Sequence, residues 1–209
     1  MGIQERKERE FARREEEILD AALHLLDCDD WLSVTVEKIA NEAEIGKGTI
    51  YKHFPSKNAL YAKLTLSFYG GLMSSFQQVS SDLPADEAFR HTATLALRYH
   101  LEHPQYRRVV QYCNRGDFKN SATPELLEQF HQVDDQFDRF GDELVQRGID
   151  QGLFANRPIE EMKYGIHACF DGAINTLWEG YCWGRDIDND RFIDATVEFM
   201  LAGLRHVDQ

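Results

Sequence analysis

The sequence predicts an all-α fold, a three-helix head of about 55 residues followed by a larger helical body, and three observations carry that expectation. A 3.6-residue apolar period recurs almost throughout, while no sustained alternation of β-branched and polar residues marks a strand. Pro84, Pro104, Pro124 and Pro158 each stand where a new helical pattern begins, the position at which a missing amide hydrogen costs least. The 209 residues are 43% apolar and 28% charged, the mixture of a chain that folds, with length for one or two domains.

The first helical pattern sets Phe11, Ile18, Ala21, Ala22, Leu25 and Leu26 on one stripe and ends near the Asp29-Asp30 turn. Thr35 then supplies an N-cap, and Glu37 an acid in the first turn, where the helix dipole favours it. Val34 and Ile39 hold the N′ and N4 positions of a hydrophobic staple. This second helix runs to about Ala43. After a short turn through Glu44 and Ile45, a third opens at Gly46 and stops at Phe54, because Pro55 disfavours helical geometry in the residue before it. Ser56 caps a fourth helix through Leu60, Leu64 and Phe68, in which Gly70-Gly71 marks a kink or an end. Beyond Asp82 five more helices are expected. They run from Pro84 to about Glu102, from Pro104 to between Asn114 and Asp117, from Pro124 to about Gln151, from Pro158 through Trp183, and, capped by "DIDND", from about Arg191 to Val207.

Two short helices joined by a tight turn, with Ile39, Ala40, Ala43, Ile45, Ile50 and Phe54 apolar, have the pattern of a helix-turn-helix that leaves its second helix exposed. Charge sets this stretch apart. The formal net charge is -13, so the average surface repels polyanions, yet Ile45 to Ser81 holds no Asp or Glu and carries Lys47, Lys52, Lys57 and Lys63. The remaining 19 of the 23 basic residues stand against all 36 acids. An acid-free lysine face on an exposed helix suits the approach of a nucleic-acid backbone; a solvated lysine face is the alternative. At about 100° per residue, Ile50 and Phe54 point into the head, Gly48, Thr49 and Lys52 face outward, and Lys47, Tyr51 and His53 lie on the flanks. Gly48 admits close approach, and Thr49 offers a hydroxyl and a methyl to a base edge. Tyr51, His53 and the lysines can bond phosphates, while Thr35 and Ser56 or Lys57 sit at helix N-termini that favour anions.

Thr35-Val36 through Ile39-Ala40, followed by "GKGTIYKHFPSKNAL", resembles the helix-turn-helix of the TetR (tetracycline-repressor-like) transcriptional regulators over roughly residues 14 to 64. The resemblance implies that residues 1-55 are a DNA-binding head with Thr35, Lys47, Gly48, Thr49, Tyr51, His53 and Lys57 at operator-contacting positions; the helical wheel adds Lys52. It implies further that residues 56-209 form a ligand-binding and dimerisation body. A homodimer would form through the last two long helices, around 159-183 and 191-207, and a small-molecule effector in a cavity of the body would move the two heads apart. The expectation is a repressor that binds a near-palindromic double-stranded DNA operator and is released by that effector. Two positions depart from the family pattern: Glu44, where Gly is frequent, and Gly46, where a Ser or Thr cap is usual.

The body has no motif of its own to match. In the helix from Ile159, His167, Asp171, Asn175 and Glu179 form a polar stripe suited to solvent, a cavity wall or a dimer face, beside an apolar stripe of Ile166, Phe170, Ala173, Leu177 and Tyr181. Phe68, Tyr99, Tyr112, Phe137, Phe140, Phe170 and Trp178, with Asp171 and Asn175, are the candidate ligand contacts, and as a group the aromatics suit an apolar or aromatic molecule. Core packing is the alternative for each. An apolar last helix, with Phe199 and Leu204, suggests a partner helix. Cys28, Cys113, Cys169 and Cys182 make no C-x-x-C pair and are expected to be buried thiols. "EQFH", Glu128 to His131, has the Glu-x-x-His spacing of di-iron bundles, but occurs once where two copies are needed. No Gly-rich phosphate loop, nucleophile elbow or H-E-x-x-H motif is present, so neither catalysis nor a metal or cofactor is expected. A regulator acting through protein partners, without a small-molecule ligand, is the alternative function. The charged N-terminus and the lack of an apolar run of about 18 residues point to a cytoplasmic protein that does not enter a membrane.

Overall fold

A computed structural model describes residues 2-27, 31-181 and 183-205, and capping residues and prolines divide these described residues into ten α-helices. They are α1 (Ile3–Leu26), α2 (Val36–Glu42), α3 (Lys47–His53), α4 (Lys57–Phe76), α5 (Ala85–Glu102), α6 (Arg107–Asn114), α7 (Gly116–Ser121), α8 (Pro124–Asp150), α9 (Ile159–Glu179) and α10 (Asn189–Leu204). Among the described residues, a single Tyr181-Arg185 bridge is the only β pairing. The fold is all-α, with a helix-turn-helix head and a larger helical body. The Asp29-Asp30 turn, the thiols of Cys28 and Cys182, and an end of the last helix at Val207 lie outside the described residues.

The helices gather into two compact units, Met1–Phe68 with Gln105–Phe130, and Tyr69–Pro104 with His131–Gln209. The first is larger than the 55 residues of the expected head. Its core joins Ile18, Ala22 and Leu26 of α1, Ile39 of α2, Ile50 of α3, Phe54, and Leu60 and Leu64 of α4 to Val109 and Cys113 of α6 and Phe118 of α7. Polar bonds tie the same pieces together. The buried Thr65 hydroxyl lies 3.0 Å from the Tyr61 carbonyl and 3.3 Å from the Val109 carbonyl, and the Tyr112 hydroxyl donates to Asn58 Oδ1 at 2.9 Å. Burial pushes the Cys113 thiol up to about 12, the mark of an inert core cysteine; Cys169 is half-buried.

The helix α7 was not expected. The chain leaves α6 at Arg115, whose extended backbone (φ -70°, ψ 145°) serves as C-cap of one helix and N-cap of the next. Its guanidinium closes back on Asp117 with two bonds of 2.9 and 2.8 Å.

In the second unit α10 packs on both α9 and α5, and α5 on α9. Leu97, Phe154, Ile193, Val197 and Leu201 are fully buried there. Two expectations change. The helix α9 ends at Glu179 rather than Trp183, because Gly180 turns the chain at φ +89°, a conformation open to glycine. And α4 runs unbroken through Gly70-Gly71 to Phe76: Gly71 leaves room for the Tyr99 hydroxyl, which a Cβ there would displace.

His100 lies deep in α5, 2% exposed, with Nδ1 donating to the Ala96 carbonyl at 2.7 Å. Trp178, whose Nε1 donates to the His100 carbonyl at 2.9 Å, and Phe170 flank its ring. Burial, reinforced by nearby His103, pushes the imidazole down to about 4, so it is neutral in the folded chain. The unfolded chain protonates this ring below its ordinary value of about 6.5, so its contribution is complete above that pH and falls away towards pH 4. Between pH 7 and pH 5 the wild type is expected to lose about 2 kcal/mol more stability than His100→Gln, read as the difference in denaturant midpoints; parallel losses would refute a neutral buried His100.

Candidate nucleic-acid interface

Short-range rules build the two helices of the motif. Thr35, extended at φ -113°, accepts the Lys38 amide on Oγ1 at 3.2 Å and keeps its own hydroxyl proton for another partner. Val34 and Ile39, the staple pair, are both buried in the first unit's core. The helix α2 closes in a Schellman motif: the Glu44 amide donates to the Asn41 carbonyl at 3.1 Å and the Ile45 amide to the Ala40 carbonyl at 2.9 Å. Glu44 therefore takes φ +54°, which costs a residue with a Cβ about 1-2 kcal/mol, and it does so where the family often has glycine. Gly46 caps α3 with its backbone alone, accepting the Thr49 amide at 2.8 Å. Phe54 ends α3 in extended geometry (φ -128°, ψ 111°), as Pro55 requires. Ser56 Oγ then accepts the Ala59 amide at 3.0 Å to start α4.

Ile50 and Phe54 are the anchors, 1% and 4% exposed. Opposite them Lys47, Gly48, Tyr51 and Lys52 are exposed and Thr49 is half-buried, with open space around Gly48. His53 is held from the side. Its ring stacks on Phe11 of α1, centroids 4.0 Å apart and planes 27° from parallel, and its Nδ1 is buried without a partner. That leaves Nε2 as the nitrogen open to a partner outside the head.

The four lysines of the acid-free stretch are not equivalent. Lys63 pairs with Glu15 at 3.5 Å. Lys57 donates through Nζ to the Val34 carbonyl at 2.5 Å and lies over the Tyr61 ring, 5.0 Å from its centroid, and burial lowers its pKa. A phosphate at Lys57 would have to compete with that carbonyl. Lys47 and Lys52 make no ion pair among the described residues, and they are the cations α3 presents outward.

The expected ligand contacts do not come together as one group. Phe137, Phe140 and Phe170 meet Phe76 and Phe89 around an apolar chamber of about 160 Å³ in the second unit. Phe68, beside Tyr106, and Tyr112, among Trp31, Tyr61 and Phe118, belong instead to the first unit, where α6 and α7 pack. Asp171 and Asn175 are exposed. Tyr99 stacks on His103, and Trp178 is committed to the His100 carbonyl. Phe76, Phe89 and Thr92 line the chamber although sequence reasoning passed over them; the spacing of Phe89, Thr92, Ala93 and Ala96 along α5 is the helical signal that marks this wall. Among the described residues no group of three or more His, Cys, Asp or Glu side chains is arranged to hold a metal.

Residues 18–64, which contain the whole helix-turn-helix, match the model for bacterial regulatory proteins of the tetR family. Those residues form a DNA-binding domain of the TetR family. With that domain the chain is a DNA-binding transcriptional regulator. An HTH-type transcriptional regulator of Staphylococcus aureus is 22% identical over 165 residues, covering 76% of this chain and 89% of that protein. The nucleoid occlusion factor SlmA of Vibrio vulnificus is 26% identical over 153 residues, 72% of this chain and 75% of that one. A TetR-family regulatory protein from Rhodococcus RHA1 superposes with a TM-score of 0.75 over 93% of this chain and 98% of the other; at 18% identity that likeness is one of fold. Among the described residues no helix is long and apolar enough to cross a membrane.

Removing the Phe11 ring tests the brace on α3. A stacked aromatic pair is worth about 0.5-1.5 kcal/mol beyond its buried area, so Phe11→Ala is expected to weaken DNA binding by roughly 2- to 10-fold, measured by fluorescence anisotropy. Unchanged affinity would show that the stack does not position α3.

Proposed function

We propose that this regulator is a homodimeric repressor that inserts α3 of each copy into successive major grooves of a near-palindromic operator and is released by a small molecule held in its second unit. The observation that carries the DNA half is the surface of α3, where Ile50 and Phe54 are locked inward while Lys47, Gly48, Thr49 and Lys52 face out with no acid among them. In this reading Thr49 reads a base edge across the opening left by Gly48. Lys47, Lys52, Tyr51 and the open nitrogen of His53 hold phosphates, as does the Thr35 hydroxyl at the start of α2. Lys57 acts mainly as a clasp that holds the start of α4 on Val34.

Dimerisation is assigned to α9 and α10, around residues 159-179 and 189-204. Both keep large apolar side chains outward, Tyr164 at 63% and Phe199 at 72% exposure, although their other faces are buried in the core. The apolar chamber between α4, α5, α8 and α9 is the proposed effector site. A second reading, regulation through protein partners without a small molecule, draws on the chamber's 160 Å³, below the roughly 300 Å³ at which drug-sized pockets begin. Screening compounds for release of an operator complex separates the two.

Operator fragments selected from random DNA provide the test. Affinity should fall steeply with salt, and Lys52→Ala should weaken all sequences alike while reducing the log-log salt slope by about 1. Thr49→Ala should relax preference at one base pair; equal, sequence-independent losses for both variants would overturn the role given to Thr49. Phe199→Glu should shift the chain from dimer to monomer in sedimentation equilibrium, and a dimer that persists unchanged would remove α10 from the interface.

A further inference from the structure

The apolar chamber has a more polar neighbour in the same unit. A space of about 350 Å³ adjoins it, and Thr92, Phe140 and Leu144 line both. The chamber is walled by phenylalanines, whereas the adjoining space carries Ser80, Ser81, Glu143 and Arg147. A molecule occupying both would have one apolar end and one polar end.

Two donors in the adjoining space lack the acceptors their burial calls for. Thr92 is 8% exposed, and its hydroxyl makes no hydrogen bond. Arg147 donates through a terminal nitrogen to the Ser81 carbonyl at 3.2 Å, but its Nε is buried without a partner. The guanidinium makes no ion pair among the described residues, although on its open side it shares a space with Asp142, Glu143, Asp150 and Glu160. Lys163, at the chamber, is already held by Asp138 and Asp142 at 2.9 and 2.8 Å. Buried donors left bare are rare in native structures, and a guanidinium with a bare buried Nε offers its planar fork to an anion.

We propose that the two spaces together take one amphipathic monocarboxylate, with an alkyl or arylalkyl chain among Phe76, Phe89, Phe137 and Phe170 and its carboxylate accepting from Arg147 and Thr92. The proposal rests on the reading that the second unit holds the effector, and it names that effector's class.

Calorimetric titration of the full chain with octanoate, decanoate and 4-phenylbutyrate tests it, against the primary alcohols and primary ammonium ions of the same chains. The carboxylates are expected to bind at least about tenfold tighter than the alcohols, the preference a charge-assisted fork supplies. Arg147→Gln should abolish that preference and leave alcohol binding in place, and Arg147→Lys, which keeps the charge without the fork, should restore only part of it. Equal binding of acid and alcohol, preference for the ammonium ions, wild-type selectivity in Arg147→Gln, or no binding by any probe would each overturn the assignment. Operator release is scored separately. Carboxylates that bind without releasing DNA leave the ligand class standing and refute the effector reading; release by an unrelated compound, with the carboxylates inert, does the reverse.

Discussion

A helix of seven residues has no stability of its own in water, so α3 exists only because Ile50 and Phe54 are buried in the core beneath it. Each such side chain contributes roughly 1.5-3 kcal/mol on burial, more than the modest propensity of a helix that contains glycine. Everything the outer face does follows from this inner one, since the rotation of the helix about its axis is set by where those two residues lodge. The surrounding devices serve the same end. The Schellman turn through Glu44 sets the entry, Pro55 the exit, and the Phe11-His53 stack braces the side.

Electrostatics then acts locally within an unfavourable whole. A chain of net charge -13 repels a polyanion at long range, but screening limits that repulsion to about 10 Å at 0.1 M salt. What matters at contact is the composition of the first few ångströms. Lys63 and Lys57 are engaged by Glu15 and by the Val34 carbonyl, so the outward face of α3 depends less on a surplus of positive charge than on keeping acids away from Lys47 and Lys52.

The helix-turn-helix was legible because its signals are encoded within a few residues of where they act. Thr35 and Ser56 as caps, Pro55 as a stop and the period of Ile50 and Phe54 each name their own consequence. Features that depend on distant partners were not legible in the same way. Gly71 read as a kink because nothing nearby shows that Tyr99 fills the space a side chain would take. Gly180 ends α9 through a positive φ that Gly48, for one, does not adopt, and nothing in the sequence beside either glycine tells them apart. The aromatics of the middle chain looked like one pocket, yet Phe68 and Tyr112 pack with the head unit while Phe137, Phe140 and Phe170 pack in the other. That division depends on which helix meets which, and the periodicity of a single helix carries no record of it.

The first unit is assembled from two stretches of chain, Met1–Phe68 and Gln105–Phe130, and this bears on how portable DNA reading can be. A cut midway along α4 would strip Val109, Cys113 and Phe118 from the core that seats Leu60, Tyr61 and Leu64, and a cut after α3 would remove all six. The reader cannot be lifted out as one continuous cassette with its core intact. A graft onto another scaffold must bring both stretches in register, and a crossover at a single junction delivers α3 on a core with one side missing. If α3 reads DNA as proposed, the simplest route to a new operator is to change residues on its outer face in place.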